Sequence, residues 1–186
     1  MVKKKTPRWS RINWLEYSLE TLARHGSAGL SLNRLISEFH VTKGSFYWHF
    51  KNQADFRAAL IDYWHKTFTV AVGCQADASS EGPEAWLEYL LRAAIKDGHA
   101  QYDNVISALA THNPELMPAV RASYEWRAIR VGEQFAALGY KGRELSIRTK
   151  MFVSHAMTES QLNSELSIRQ RLSQAPESLS FLLEGR

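Results

Sequence analysis

Residues 31–50, SLNRLISEFHVTKGSFYWHF, contain the pattern that decides the fold. The apolar residues of the first half recur at i, i+3, i+4 and i+7, the spacing of one helix face: Leu32, Leu35, Ile36 and Phe39. Ser31 precedes this stripe as an N-cap whose hydroxyl can accept a backbone hydrogen bond. Thr42 can cap a second helix, in which Phe46 and Phe50 lie four residues apart on one side. The spacing predicts two short helices joined by a tight turn.

The second helix is predicted to turn unusual side chains towards water: Lys43, Ser45, Tyr47, Trp48 and His49. Lys43 in the first turn opposes the helix dipole, and a phosphate bound at that end would remove the penalty. Gly44 has no side chain, so a DNA backbone can approach closely. Tyr47 and His49 can donate to phosphates, and Ser45 and Trp48 can reach base edges. The pattern favours a helix-turn-helix with residues 43–49 as its recognition helix. The alternative is a simple corner of two helices with exposed aromatic residues.

The stretch VTKGSFYWHFKNQADF, residues 41–56, resembles the signature of the TetR family of bacterial transcriptional regulators, and the resemblance covers about residues 9–60. It implies an all-α fold of about nine helices, with a helix-turn-helix domain and a larger ligand-binding and dimerisation domain. His40 stands where the family usually has glycine, so we expect a left-handed backbone there. Gln53-Ala54 replaces a charged pair common in the family. The implied DNA-binding residues are Ser31, Arg34, Thr42, Lys43, Gly44, Ser45, Tyr47, Trp48, His49 and Lys51.

Charge and composition agree with a nucleic-acid-binding module on a neutral body. The net charge is +4, but residues 1–50 hold eight Lys and Arg against three Glu, a charge of +5. The basic arm of residues 1–8 either follows the DNA minor groove or is a non-specific charged tail. It lacks the apolar segment of a secretory signal, and no stretch is long enough to span a membrane. Cys74 is the single cysteine, which is compatible with the cytoplasm and typical of a small core filler.

The remaining periodicity predicts an all-α chain. We predict helices at residues 10–25, 53–72, 83–97, 102–112, 118–138, 143–157 and 161–183, in addition to the two described above. In the first of these helices, the residues expected to face the core are Ile12, Leu15, Leu19, Leu22 and Ala23. Residues 75–82, QADASSEG, are predicted to form a loop. Residues 1–50 would form the DNA-binding domain and residues 51–186 the second domain, with helix 53–72 as the connector. The last two helices would pair with those of a second copy, giving a homodimer.

Aromatic residues of the second domain are candidates for an effector cavity. They are Trp64, Phe68, Trp86, Tyr89, Tyr102, Tyr124, Phe135 and Phe152. For any single one of these residues, packing in the core is the alternative. The seven histidines show no metal-binding or catalytic spacing, so neither an enzyme nor a cofactor is predicted.

These patterns together predict a cytoplasmic, homodimeric DNA-binding regulator. Its partners would be a palindromic double-stranded DNA operator and a small-molecule effector of unknown identity. A repressor released by that effector is the main hypothesis. The alternatives are an activator with the same fold, and a helical ligand- or protein-binding module whose DNA-binding domain is vestigial.

Overall fold

The computed structural model describes residues 9–96 and 100–184. Every regular secondary-structure element in those ranges is a helix, as predicted. The α-helices are α1 (Arg11–His25), α2 (Leu32–Phe39), α3 (Lys43–His49), α4 (Gln53–His65), α5 (Ala71–Ser79), α6 (Pro83–Lys96), α7 (Ala100–His112), α8 (Met117–Ala137), α9 (Gly142–Leu162) and α10 (Ile168–Leu183). The basic arm of residues 1–8 and the predicted helix end at residue 97 lie outside the described residues. None of the helices described combines the length and apolarity that a bilayer crossing demands.

Helices α1 to α4 enclose an aromatic core. Trp14, Phe46, Phe50 and Phe56 are at most 1% exposed, and the Phe46 ring meets Trp14 and Phe56 edge-on at 5.5 and 5.4 Å. Edge-to-face pairs of this kind add to the stabilisation from buried area. The same core continues into α7 through Ile106 and its neighbours.

The prediction that Ile12 belongs to this core is wrong, because its side chain is 62% exposed. A helix turns by about 100° per residue. Ile12 therefore lies well to the side of the buried face of α1, which is centred on Trp14, Ser18 and Leu22.

The turn between α2 and α3 has the predicted left-handed residue, since His40 has φ 53° and ψ 40°. Thr42 caps α3 by accepting a hydrogen bond from the Ser45 amide at 3.3 Å. Ser31 occupies the N-cap position of α2, but its hydroxyl makes no capping bond, so that detail of the prediction is wrong. Asn52 caps α4 by accepting a hydrogen bond from the Asp55 amide at 2.9 Å.

The connector is longer than predicted. Helix α4, a π-helical turn at Lys66–Val70 and α5 follow one another without a break, so they form one continuous helix ending at Ser79. The loop predicted at residues 75–82 is therefore wrong for its first five residues. Ala76 is fully buried beside the core of the second domain, and this packing keeps the polar stretch helical. Cys74 is exposed, so it is not the predicted core filler. With the connector counted as one helix, the described residues form nine helices, as predicted.

Helices α6, α8, α9 and α10 surround a second core with Leu87, Phe135 and Phe152 at its centre. The predicted start of the last helix at residue 161 is wrong, because α9 continues to Leu162 and α10 begins at Ile168. Ser167 and Gln170 form a reciprocal capping box, which fixes that later start. Helix α10 continues through Pro176.

Candidate functional site

Helix α3 presents two large aromatic side chains to solvent. Tyr47 is 57% and Trp48 is 72% exposed, whereas Phe46 and Phe50 on the opposite side are 1% exposed. Lys43, in the first turn, is also exposed. The sequence predicts that these side chains lie on the outer face of α3, and the structure confirms that position. Their role in DNA binding stays a prediction.

Gly44 lies in α3 with open space beside it. A Cβ built at Gly44 would meet nothing nearer than the Thr42 hydroxyl oxygen at 3.6 Å, which is an ordinary contact. Glycine inside a helix costs about 1 kcal/mol relative to alanine. Nothing within the described residues requires this glycine, so the position is suited to a partner that approaches the helix backbone from outside.

Two other residues of α3 are turned towards the protein. The His49 Nε2 atom lies 2.7 Å from the backbone oxygen of Trp9, and the His49 side chain is half-buried. Ser45 is also half-buried, and its hydroxyl oxygen accepts a bond from the indole nitrogen of Trp14 at 3.4 Å. His49 therefore lies less far outward than the sequence suggested, and it positions the segment before α1.

The predicted contact residues of α2 and the α3–α4 turn have mixed surroundings. Arg34 donates to Glu38 at 3.0 Å, and this hydrogen bond lowers the pKa of the Glu38 carboxyl. A phosphate would have to compete with Glu38 for that guanidinium. Ser31 and Lys51 are exposed, and the backbone amide of Lys51 donates to Asp55 at 2.9 Å.

A cavity of about 620 Å³, including the open space at its mouth, lies between the connector, α6, α8 and α9. Its walls are mostly apolar, with a polar end formed by Thr69, Asp103 and Arg127 and with Arg130 at its rim. The apolar lining residues are Phe68, Val72, Gly73, Trp86, Leu90, Ala94, Trp126, Val131, Phe152, Val153, Ala156 and Met157. A mostly apolar lining with a few polar groups is typical of a small-molecule site.

The polar end is a network of hydrogen bonds. Arg127 donates to both Asp103 oxygens at 2.7 and 3.0 Å, and to the Thr69 hydroxyl at 2.9 and 2.7 Å. The indole of Trp64 donates to Asp103 at 3.1 Å. The Arg127 side chain is 16% and the Asp103 side chain 5% exposed.

Comparison with known proteins agrees with this architecture. Residues 15–60 match the family model described as bacterial regulatory proteins, tetR family. The N-terminal domain belongs to the TetR family. That domain comprises most of α1, then α2, α3 and the first part of α4, so the two short helices with the His40 turn are its helix-turn-helix.

Solved structures of similar fold cover nearly the whole chain. A TetR-like transcriptional regulator from Rhodococcus sp. RHA1 has 13% identity and a TM-score of 0.75, covering 98% of this chain and 100% of its own. FadR from Bacillus subtilis in complex with stearoyl-CoA has 12% identity and a TM-score of 0.66, covering 95% and 100%. The ketosteroid regulator KstR2 of Mycobacterium tuberculosis has 15% identity and a TM-score of 0.64, covering 98% and 97%. At identities this low the likeness shows the fold alone. The fold is of the TetR type over nearly the whole chain.

Within this TetR-type fold, three of the eight predicted cavity residues line the cavity: Phe68, Trp86 and Phe152. The other five lie behind its lining or away from it. Trp64 and Phe135 are fully buried, Tyr124 bonds to Ser107 at 2.6 Å, Tyr89 donates to Gln75 at 3.2 Å, and Tyr102 packs against Phe68 with ring centroids 4.8 Å apart. These are packing or bracing roles, the alternative that the sequence left open.

Sequence reasoning missed the polar end of the cavity in the TetR-type fold. One signal was present: Arg127 lies on the same face of its helix as Val120, Val131 and Phe135, where a charge needs a buried partner. That partner, Asp103, lies on a different helix, and no local pattern joins the two. Arg130 was not a predicted cavity residue either.

His65 extends the polar network towards the DNA-binding domain of this TetR-type fold. Its Nδ1 atom lies 2.9 Å from the Ser123 hydroxyl, which is 3.3 Å from the Thr69 hydroxyl. Burial lowers the pKa of His65, and the positive charge of Arg127 lowers it further.

Proposed function

We propose that this protein is a homodimeric transcriptional repressor that binds a palindromic DNA operator through α3 and releases it when a small molecule enters the cavity. The observation that carries the DNA-binding part is the surface of α3. A Tyr and a Trp more than half exposed, an exposed Lys in the first turn, and a glycine that the fold does not require all lie on one short helix. A major groove would cover the aromatic residues, and a phosphate would satisfy Lys43 and the end of the helix.

The dimer is supported by an apolar surface on the last two helices. Ile147 and Met151 of α9 are 45% and 48% exposed, and Phe181 of α10 is 67% exposed. These three residues line one shallow cleft. A second copy would cover this surface and place two α3 helices about 34–36 Å apart, which suits two half-sites of a palindrome.

The connector offers a route from the cavity to α3. Phe56 and Leu60 of α4 belong to the core beneath α3, while Phe68, Thr69 and Val72 of the same continuous helix line the cavity. An effector that fits only one position of this helix would shift the equilibrium between two spacings of the α3 helices. FadR, which shares the fold, was solved with stearoyl-CoA, and this supports the cavity as an effector site.

DNA binding is tested with a labelled duplex from the region flanking the gene, titrated at several salt concentrations. We expect Tyr47→Ala and Lys43→Ala to weaken binding, and Lys43→Ala to lower the salt slope by about two, one for each subunit of the dimer. Lys96→Ala, at an exposed position at the end of α6, is the matched control and should bind as the wild type does. Unchanged affinity in both α3 variants would remove α3 as the DNA-contacting element.

A second candidate function is a ligand-binding protein whose DNA-binding domain is vestigial. The internal bonds of His49 to Trp9 and of Arg34 to Glu38 favour it, because they occupy two of the predicted DNA contacts. A wild-type protein that binds the flanking DNA no better than random DNA would favour this function over the repressor.

A further inference from the structure

We propose that the cavity takes an uncharged, apolar, ring-bearing molecule and discriminates against anionic and cationic relatives of the same shape. This inference rests on the proposed effector site and names its ligand class. It follows from how the charged side chains around the cavity are paired and from the shape of the apolar wall.

At the polar end of the cavity, the opposite charges of Asp103 and Arg127 neutralise each other. Both oxygens of Asp103 accept bonds from Arg127, and one of them also accepts from Trp64. The Nε and Nη2 atoms of Arg127 are directed to Thr69. An anion entering here would have to draw Arg127 away from a carboxylate that is 5% exposed, leaving that carboxylate buried without its partner.

The rim is neutralised in the same way. Arg130 donates to Asp77 at 2.5 Å and to Glu133 at 2.7 Å, and Asp77 also accepts the Trp86 indole bond at 2.8 Å. The carboxylates of Asp77 and Glu133 are about half exposed, at 49% and 51%. An anionic ligand would therefore meet an arginine already flanked by two negative groups.

A cation gains little from the aromatic walls. The guanidinium of Arg130 already lies 5.7 Å from the Trp86 ring centre and 5.9 Å from that of Trp126. A ligand cation would compete with the positive charge of Arg130 for these two ring faces. Among the described residues, the three buried polar side-chain atoms without a partner lie on Ser18, Arg57 and Thr149, outside the cavity lining.

The apolar wall depends on the close packing of Trp126 against the connector. A Cβ added at Gly73 would lie 2.6 Å from the Trp126 ring, so the indole rests directly on the glycine backbone. Together with Phe68, Trp86 and Phe152, this indole gives the cavity four aromatic walls. Flat ring systems pack well against such walls.

The ligand class is tested on the full chain by competition for one fluorescent reporter, the neutral compound N-phenyl-naphthylamine. The competitors share one ring system and differ in charge: naphthylmethanol, naphthoate and naphthylmethylammonium. Because burying a charge without a partner is costly, we expect naphthylmethanol to bind roughly tenfold or more tightly than either charged compound. Equal or tighter binding of naphthoate or naphthylmethylammonium would overturn the inference.

Two variants establish that the reporter occupies this cavity. Gly73→Ala pushes Trp126 into the space, and Ala156→Leu fills it from α9, so each should weaken reporter binding by roughly tenfold. The matched control is Gly132→Ala on α8, whose added Cβ would meet Thr149 at an ordinary 3.5 Å. Melting curves confirm that each variant is folded, and Ala156→Leu serves if Gly73→Ala is not. Unchanged reporter affinity in the folded cavity variants would also overturn the inference.

This test is independent of the test for DNA binding. A protein that binds its flanking DNA but prefers naphthoate contradicts the ligand class alone. A protein that prefers naphthylmethanol but ignores the flanking DNA contradicts the proposed repressor alone.

Discussion

Asp103 and Arg127 are joined by two hydrogen bonds of 2.7 and 3.0 Å although 24 residues separate them in the chain. The pair links α7 to α8, and the bonds from Arg127 to Thr69 add the connector. Ile106, one turn from Asp103 on α7, belongs to the core of the DNA-binding domain. One buried ion pair thus touches the cavity, the connector and the helix that packs beneath the DNA-binding domain.

Breaking this pair from one side should be strongly destabilising. Asp103→Leu or Arg127→Met leaves a buried charge without its partner, and we expect each to lower the free energy of unfolding by about 3–5 kcal/mol. The double variant should lose less than the sum of the single losses, by about 0.5–3 kcal/mol. Urea unfolding measures all four proteins.

The exposed pair Glu88–Arg92 on α6 is the control for this cycle. Its side chains are 37% and 44% exposed, so a coupling of only about 0.5 kcal/mol or less is expected. Additive losses at Asp103 and Arg127 would contradict the view that the two residues act as one unit.

Stability should fall on mild acidification because of His65. Burial and the nearby Arg127 lower the pKa of His65 in the folded protein, while Asp62 opposes and Lys66 adds to that effect. The unfolded chain, with its histidine pKa of about 6.5, therefore binds a proton before the folded protein does. The contribution of neutral His65 to the free energy of unfolding is therefore fully present above pH 6.5. It is lost as the pH falls through 6.5 towards the lower pKa of His65 in the folded protein.

We expect His65→Gln to flatten this part of the dependence of melting temperature on pH. His112→Gln, at an exposed position near the end of α7, should leave the pH dependence unchanged. The measurement is a series of thermal melts between about pH 5 and pH 8, the range in which histidine titrates. A His65→Gln protein with the same pH dependence as the wild type would contradict the prediction.

Local features of this fold could be predicted because they depend on neighbouring residues. The cap at Thr42 and the outward aromatic residues of α3 each follow from a pattern of a few positions, and the left-handed His40 follows from the family resemblance. The predictions failed where tertiary packing decides the outcome. Burial of Ala76 extends a helix through a stretch that looks like a loop.

The cavity was the least predictable part for the same reason. Aromatic residues mark a helical core, but only the packing of the helices separates lining residues such as Phe152 from core residues such as Phe135. The π-helical turn at Lys66–Val70 places Phe68 and Thr69 at the cavity. No pattern in the sequence predicted that turn.

His49 should affect DNA binding differently from Lys43. Since its Nε2 atom is bonded to the Trp9 backbone oxygen, His49→Ala should cost about 1 kcal/mol of folding stability. Because the ring is directed inward, we expect the salt slope of DNA binding to stay at the wild-type value. A slope that falls by about two, as expected for Lys43→Ala in a dimer, would instead place His49 on a phosphate.

The apolar face of α9 and α10 should determine the oligomeric state. Met151 and Phe181 are 48% and 67% exposed, and a second copy would bury them. Met151→Glu would place a charge within that apolar contact, and burying a charge costs several kcal/mol. We expect sedimentation at micromolar concentration to give a dimer for the wild type and a monomer for Met151→Glu.

Ser146→Glu is the matched control, because Ser146 is exposed on the same helix but does not line the cleft of Ile147, Met151 and Phe181. The monomeric variant should also bind the flanking DNA weakly, since one α3 helix reads a single half-site. A wild-type monomer, or a Met151→Glu protein that remains dimeric, would show that this face is not the contact between copies.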